Sequence, residues 1–419
     1  MTVIRTIPPT VVFLLALMTS GLSGVASSAA AQEEAAVADP RAIVEAAVAH
    51  HRAGRLAEAI TEYQRFLEIQ PRNVLIRSNL GAALAQEGRY EEAIAQYREA
   101  LAIDAARTPV RLNLAMALYK AFAIAEAARE LEEVVATQGD NETARLLLAD
   151  CHLRMGQFKK VVETLTPLEP GAGQNRAVAY LLGMALILDE QPVRGQVFID
   201  QILRDGESAE ARLLMGVTRL MALEPAAARD DFARAVSLNP RLPSAHGSLG
   251  QALMQLGDSD RAQGEFEKEL EINPNDYDAN LYLGVLLRQR QEYAEAMKRF
   301  RRALSVRPGS ATALYQVGSL HLVLGEVAEA RKTLEAVVAA EPKFVEAHVS
   351  LATVYYRLKR KEDGDRERAL VKELNREIQA TQPGAKEELG PAYRGDNTPA
   401  APVNQGSPDS APPERVPPQ

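Results

Sequence analysis

Six histidines and one cysteine are the residues of this 419-residue chain whose chemistry invites a search for catalysis or metal binding. Imidazole changes charge near neutral pH, which makes histidine the usual acid, base or metal ligand. No His-x-x-x-His spacing and no recurring His/carboxylate set accompanies these six, so no metal centre is expected. His50, His152 and His321 share one position of a recurring pattern, His246 and His348 share another, and His51 lies off both. Such placement reads as polar-edged packing. Cys151 adjoins His152, but neighbours on a helix point away from each other, so a thiolate–imidazole pair does not form readily. A lone cysteine also excludes an internal disulfide framework and a Cys-based zinc site; a buried thiol is expected, or an intermolecular disulfide in an exported protein. The carboxylate pairs Glu91-Glu92, Glu132-Glu133 and Asp230-Asp231 are expected on solvated helix faces. With no nucleophile elbow, phosphate loop or dinucleotide fingerprint, no catalytic, cofactor-binding or metal residue is expected, and the chain reads as a non-enzyme.

The elements that carry these residues are helical. Apolar residues make up 47% of the chain and charged ones 25%, ordinary for a helical protein, while Trp is absent and aromatics are few. That combination favours many small, similar interfaces over one dense core. The formal charge of −8 arises from interspersed charges, leaving no basic stripe and no expected nucleic-acid partner. At the amino terminus, Arg5, the apolar run Val11–Met18 and Ala29-Ala30-Ala31 have the layout of a signal peptide over residues 1–31. Export to the periplasm or the cell exterior follows if the leader is cleaved, and a membrane anchor if it is not. An acidic linker, residues 32–39, leads into the helices.

Between about Pro40 and Gln382 one pattern recurs every 34 residues, with a single residue lost between Gly183 and Gly216. Each unit reads as two short amphipathic helices. A small residue marks the first helix: Ala47, Gly81, Ala115, Ala149, Gly183, Gly216, Gly250, Gly284, Gly318 and Ala352. Glycine inside a helix costs about 1 kcal/mol relative to alanine, so its recurrence in register predicts a close helix crossing. In the second helix a small residue precedes a large one by a turn, as in Ala262 and Phe266 or Ala296 and Phe300, which predicts interdigitation. Residues 141–208, with Pro167, Pro170, Gly171, Gly173 and Pro192, predict an irregular stretch. The charged helix ending near Thr381 predicts a solvating cap, with Arg368 where the large residue would stand.

The Leu-Gly of the first helix, the Ala-x-x-x-Phe/Tyr of the second and the closing Pro of units such as Tyr277–Pro308 resemble the tetratricopeptide repeat. The family's Trp at the fourth position is never present; Ile43, Arg77, Arg111, Arg145, His246, Asn280, Leu314 and His348 stand there. The resemblance implies an all-α, right-handed superhelical solenoid of about ten repeats, with first helices lining a concave groove that binds a partner polypeptide. On that geometry the groove wall includes Leu112, Met116, Tyr119, Tyr180, Met184, Leu213, Val217, Met221, Tyr315 and Tyr356, although an apolar residue there can equally be core between repeats. Arg52, Asp150, Arg154, Gln251, Gln255, Arg288 and Arg357 fall beside them as polar groove residues. The expected role is an exported scaffold or adaptor in envelope assembly or secretion, or else a recruiting subunit of an envelope glycan enzyme. The Pro-rich tail, residues 383–419, is expected to be disordered with polyproline II character.

Overall fold

The computed structural model describes residues 39–204 and 206–381. The expected leader, nearly all of the linker and the Pro-rich tail lie outside the described residues. Among the described residues, twenty α-helices form ten antiparallel pairs. The first five pairs are α1 (Pro40–Arg52) with α2 (Leu56–Ile69), α3 (Val74–Gln86) with α4 (Tyr90–Ile103), α5 (Thr108–Lys120) with α6 (Ile124–Thr137), α7 (Glu142–Arg154) with α8 (Phe158–Leu165), and α9 (Arg176–Leu188) with α10 (Pro192–Leu203). The next five are α11 (Ala209–Met221) with α12 (Pro225–Leu238), α13 (Ala245–Gln255) with α14 (Ser259–Ile272), α15 (Tyr277–Gln289) with α16 (Tyr293–Val306), α17 (Ala311–Val323) with α18 (Val327–Ala340), and α19 (Val345–Arg357) with α20 (Lys361–Thr381). Each pair stacks on the next, giving an all-α superhelical solenoid.

The predicted crossings are present. A Cβ built on Gly81, Gly250 or Gly284 would stand 2.7 Å from Tyr97, 2.7 Å from Phe266 or 2.5 Å from Phe300, the large residue of the partner helix. Phe232, Phe266, Phe300 and Leu334 are wholly buried. The first helix therefore supplies a hole and the second a knob, repeated along the stack.

Two features were not foreseen. The second residue beyond each first helix has a left-handed backbone in all ten pairs: Gly54, Gly88, Gly156, Gly257 and Gly325, but also Phe122, Glu190, Leu223, Gln291 and Lys359. The next N–H donates back into the last turn, as Arg89 does to the Leu84 carbonyl at 2.9 Å. This closes the helix with a 6→1 bond and turns the chain sharply into the second helix. The other feature occupies the fourth position. There Arg77, Arg111, Arg145, His246, Asn280 and His348 each donate to the carbonyl six residues earlier, on the loop before the helix. All but Asn280 also reach across to the second helix nineteen residues on, as His246 Nδ1 does to Glu265 Oε2 at 2.5 Å and His348 Nδ1 to Glu367 Oε2 at 2.5 Å. A two-armed polar tie stands where the family places tryptophan.

The same geometry corrects one expectation. Asp231 is not solvated: it is 2% exposed and accepts from Arg212 at 2.9 Å and Arg219 at 2.5 Å. It sits nineteen residues after Arg212, the acceptor end of the tie. Glu91, Glu92, Glu132, Glu133 and Asp230 are exposed. The irregular stretch is real: α8 has eight residues, and a 3₁₀ turn (Thr166–Gly171) containing Pro167 and Pro170 replaces its last turns. At the other end α20 caps the stack, with Leu374 buried and the Arg368 guanidinium 4.9 Å from the Tyr356 ring centre.

Candidate binding cavity

The solenoid curls until pairs four to five repeats apart touch. Asn275 Nδ2 donates to the Phe122 carbonyl at 3.5 Å and Arg307 Nε donates to the Arg154 carbonyl at 2.8 Å, each across 153 residues of sequence. The two contacts lie side by side, 32 residues apart on each side of the clasp. They join the turns after α5 and α7 to the loops before α15 and α17. The Arg307 guanidinium also lies 4.0 Å over the Tyr277 ring, and Tyr277 Oη bonds Ser310 Oγ at 2.5 Å.

Curling encloses a cavity of about 700 Å³. One wall comes from the first helices α5, α7, α9 and α11, through Tyr119, Leu146, Tyr180, Met184, Val217 and Met221. The opposite wall comes from the loops and first turns around Leu242–Ser244, Asn273–Asp278 and Arg307. Gln251 and Gln255 of α13 lie between, and Gln251 Nε2 donates to Tyr282 Oη at 2.7 Å.

A polar triad joins the first wall to the clasp. Arg154 Nε donates to Asp150 Oδ2 at 2.7 Å, Arg154 Nη2 donates to Tyr119 Oη at 2.9 Å, and Tyr119 Oη donates to Asp150 Oδ2. Arg154 keeps 20% of its side-chain area accessible, yet protein surrounds it, because what it faces is the cavity. Burial opposes its charge, and Asp150, Tyr119 and Asp276 together outweigh that effect. The phenols of Tyr119 and Tyr180 are pushed up by burial, so both remain neutral hydrogen-bonding groups.

The opposite wall is acidic. Asp276 Oδ1 caps α15 by accepting the Ala279 N–H at 2.8 Å. Glu269, wholly buried, accepts the Ser244 N–H at 2.8 Å and the Gly247 N–H at 3.2 Å, capping α13 in place of a local side chain. Ser244 adopts φ +67°, a left-handed backbone that a non-glycine residue rarely takes, and this turns its N–H toward Glu269. Burial raises the affinity of both carboxyls for protons, and each carboxylate disfavours ionisation of the other.

Of the ten expected groove residues, the curl brings Tyr119, Tyr180, Met184, Val217 and Met221 together on the cavity. Leu112 and Met116 pack half-buried against the amino-terminal core. Leu213 is corrected to core, with no exposed area, because it packs within the continuous apolar cluster between helix pairs. Tyr315 and Tyr356 lie elsewhere: the first packs on Phe344 with ring centres 5.2 Å apart, the second under α20 with its hydroxyl donating to Asp365 at 2.6 Å. The loop residues Asn275, Asp276 and Arg307 were missed because no repeat pattern says which loop meets which distant turn.

No group of histidine, cysteine and carboxylate side chains suited to a metal ion occurs among the described residues. Cys151 is buried and its thiol is pushed up by that burial, so it is inert packing. No described helix is long and apolar enough to cross a membrane.

A search of curated proteins finds no match. Among solved structures, the crystal structure of MamA is similar at 18% identity, covering 39% of this chain and 96% of that one with a TM-score of 0.35. A MamA RS-1 ArsTM double mutant is similar at 22% identity over 42% of this chain and 98% of that one, TM-score 0.37. MamA from Desulfovibrio magneticus RS-1, residue 41 to its end, gives 22% identity over 41% of this chain and 97% of that one, TM-score 0.36. One tetratricopeptide repeat profile matches residues 44–108 and 248–311, and a second matches 118–185 and 287–353, together more than half of the sequence. Those matches fall on the helix pairs, holes and knobs described above, and the chain belongs to the tetratricopeptide repeat family.

Proposed function

We propose that this protein is a non-catalytic scaffold that holds a segment of a partner polypeptide against the inner face of its solenoid. As a tetratricopeptide repeat protein it acts as a protein-interaction scaffold. The observation that carries the proposed location is the convergence of Tyr119, Tyr180, Met184, Val217 and Met221 on one cavity of about 700 Å³. Methionine adapts its shape and tyrosine offers an apolar body with a polar edge, a surface suited to peptide side chains. The leader-like layout of Val11–Met18 and Ala29–Ala31 supports work in the cell envelope, in assembly or secretion. Sequencing the amino terminus of the mature protein tests that placement: a start at Gln32 is expected, and a start at Met1 replaces export with anchoring.

A photo-crosslinking residue at position 180 tests the cavity. Crosslinks to a discrete partner segment, lost in Tyr180→Glu/Met184→Glu protein of unchanged helicity, are expected. Crosslinks that survive those changes, or none at 180 while outer-face positions do crosslink, would move the binding surface elsewhere.

A further inference from the structure

We infer that the cavity receives a basic side chain, a lysine or arginine carried on an otherwise apolar segment of the partner. This rests on the reading above that the inner face holds a polypeptide, and it names that segment's chemistry. Uncommitted acceptors define the wall before α15. Asp276 uses Oδ1 to cap its helix, and Oδ2 has no hydrogen bond or ion pair among the described residues. Asn275 lines the same wall and is 9% exposed, and its Oδ1 has no hydrogen-bond partner while its Nδ2 is turned to Phe122. Asp278 adds another carboxylate to the lining, and Glu269 lies buried behind it.

Four cations line the same cavity, Lys120, Arg154, Arg176 and Arg307, and three of them are engaged with other groups. Arg154 is bound to Asp150 and Tyr119. Arg307 stacks on Tyr277 and donates to a carbonyl. Lys120 is exposed, where the cavity meets solvent. Burial and mutual repulsion favour protonation of Asp276 and Glu269. Arg154, whose charge opposes this through space, spends its hydrogen bonds on Asp150 and Tyr119 and leaves the buried carboxylates incompletely compensated. An ammonium or guanidinium group brings donors for the carboxylates of this wall and a charge of the right sign. The apolar remainder, Leu146, Tyr180, Met184 and Val217, suits the residues flanking that cation.

A phage-displayed library of random heptapeptides, panned on the full chain, tests this directly. Asp276→Asn is the matched variant, because asparagine caps a helix as well as aspartate does and removes only the charge. Lysine and arginine are expected to be enriched at least threefold among selected peptides. A selected peptide should bind Asp276→Asn protein at least fivefold more weakly by calorimetry. Selected peptides without that basic enrichment, no selection at all, or less than a fivefold loss on Asp276→Asn would overturn the inference. Apolar peptides displaced by Tyr180→Glu would overturn the basic anchor alone and leave the scaffold reading standing, whereas the position-180 crosslinks test that reading independently.

Discussion

Histidine 246 shows how much one side chain can do at a position where the family has an indole. Its two ring nitrogens face two acceptors, Glu265 Oε2 at 2.5 Å and the Pro240 carbonyl at 3.1 Å. Only an imidazolium can donate to both at once. The hydrogen bond to Glu265 accordingly raises this histidine above its ordinary 6.5, against the opposing effect of burial. A group whose folded pKa is raised contributes stability that is complete below the unfolded value and is lost as pH climbs through the folded one. Glu265 is lowered from 4.5 overall, although burial alone would raise it, so its own contribution is lost only in acid. The pair therefore stabilises most between about pH 5 and 6.5. We predict that His246→Gln costs roughly 1.5–3 kcal/mol near pH 6, the range for hydrogen bonds to charged groups. The difference from wild type should shrink toward pH 9 in urea titrations at several pH values. A cost that does not change with pH would mean the ring is neutral in the folded protein. The position was legible in the sequence, since six of these residues recur in phase; their shared acceptors were not.

At the scale of the helix, small residues are not equivalent to one another. Gly284 lies where α15 meets α16, and an added Cβ would stand 2.5 Å from the ring of the wholly buried Phe300. Gly264 lies in α14 with nothing within 4 Å of the same hypothetical atom. We predict that Gly284→Ala destabilises by about 1–3 kcal/mol through overpacking, while Gly264→Ala stabilises by about 0.5–1 kcal/mol because alanine is the better helix former. Thermal unfolding of the two single variants checks the signs, and a stabilising Gly284→Ala would refute the hole-and-knob assignment. The period alone identified Gly284 as an interface glycine and left Gly264 unmarked. What it could not supply was the ten left-handed turns, because five of them use Phe122, Glu190, Leu223, Gln291 and Lys359 instead of glycine. Tertiary stacking fixes those turns in spite of residue preference.

For the whole molecule, the decisive feature is curvature. Each pair rotates slightly on its neighbour, and over four to five repeats the rotation brings Arg307 to the Arg154 carbonyl. The Arg307 side chain is one of two residues holding the turns together at that clasp, and it contributes nothing to the holes and knobs. Arg307→Ala is therefore expected to leave helicity unchanged and to increase the radius of gyration measured by small-angle scattering, with a larger and more accessible cavity. An unchanged radius would show that stacking geometry alone holds the curl. The sequence by itself determined the helical pairs, their number, their crossings and the inward side of the first helices, because each depends on contacts within a repeat or between adjacent repeats and so obeys the 34-residue period. Only the tertiary structure decided that Leu213 is core, that Tyr315 and Tyr356 lie apart from the cavity, and that Asn275, Asp276 and Arg307 close it. The closing contacts depend on small inter-repeat rotations summed across 153 residues, a quantity that no local spacing records. The places of Leu213, Tyr315 and Tyr356 depend on which neighbouring side chains cover them.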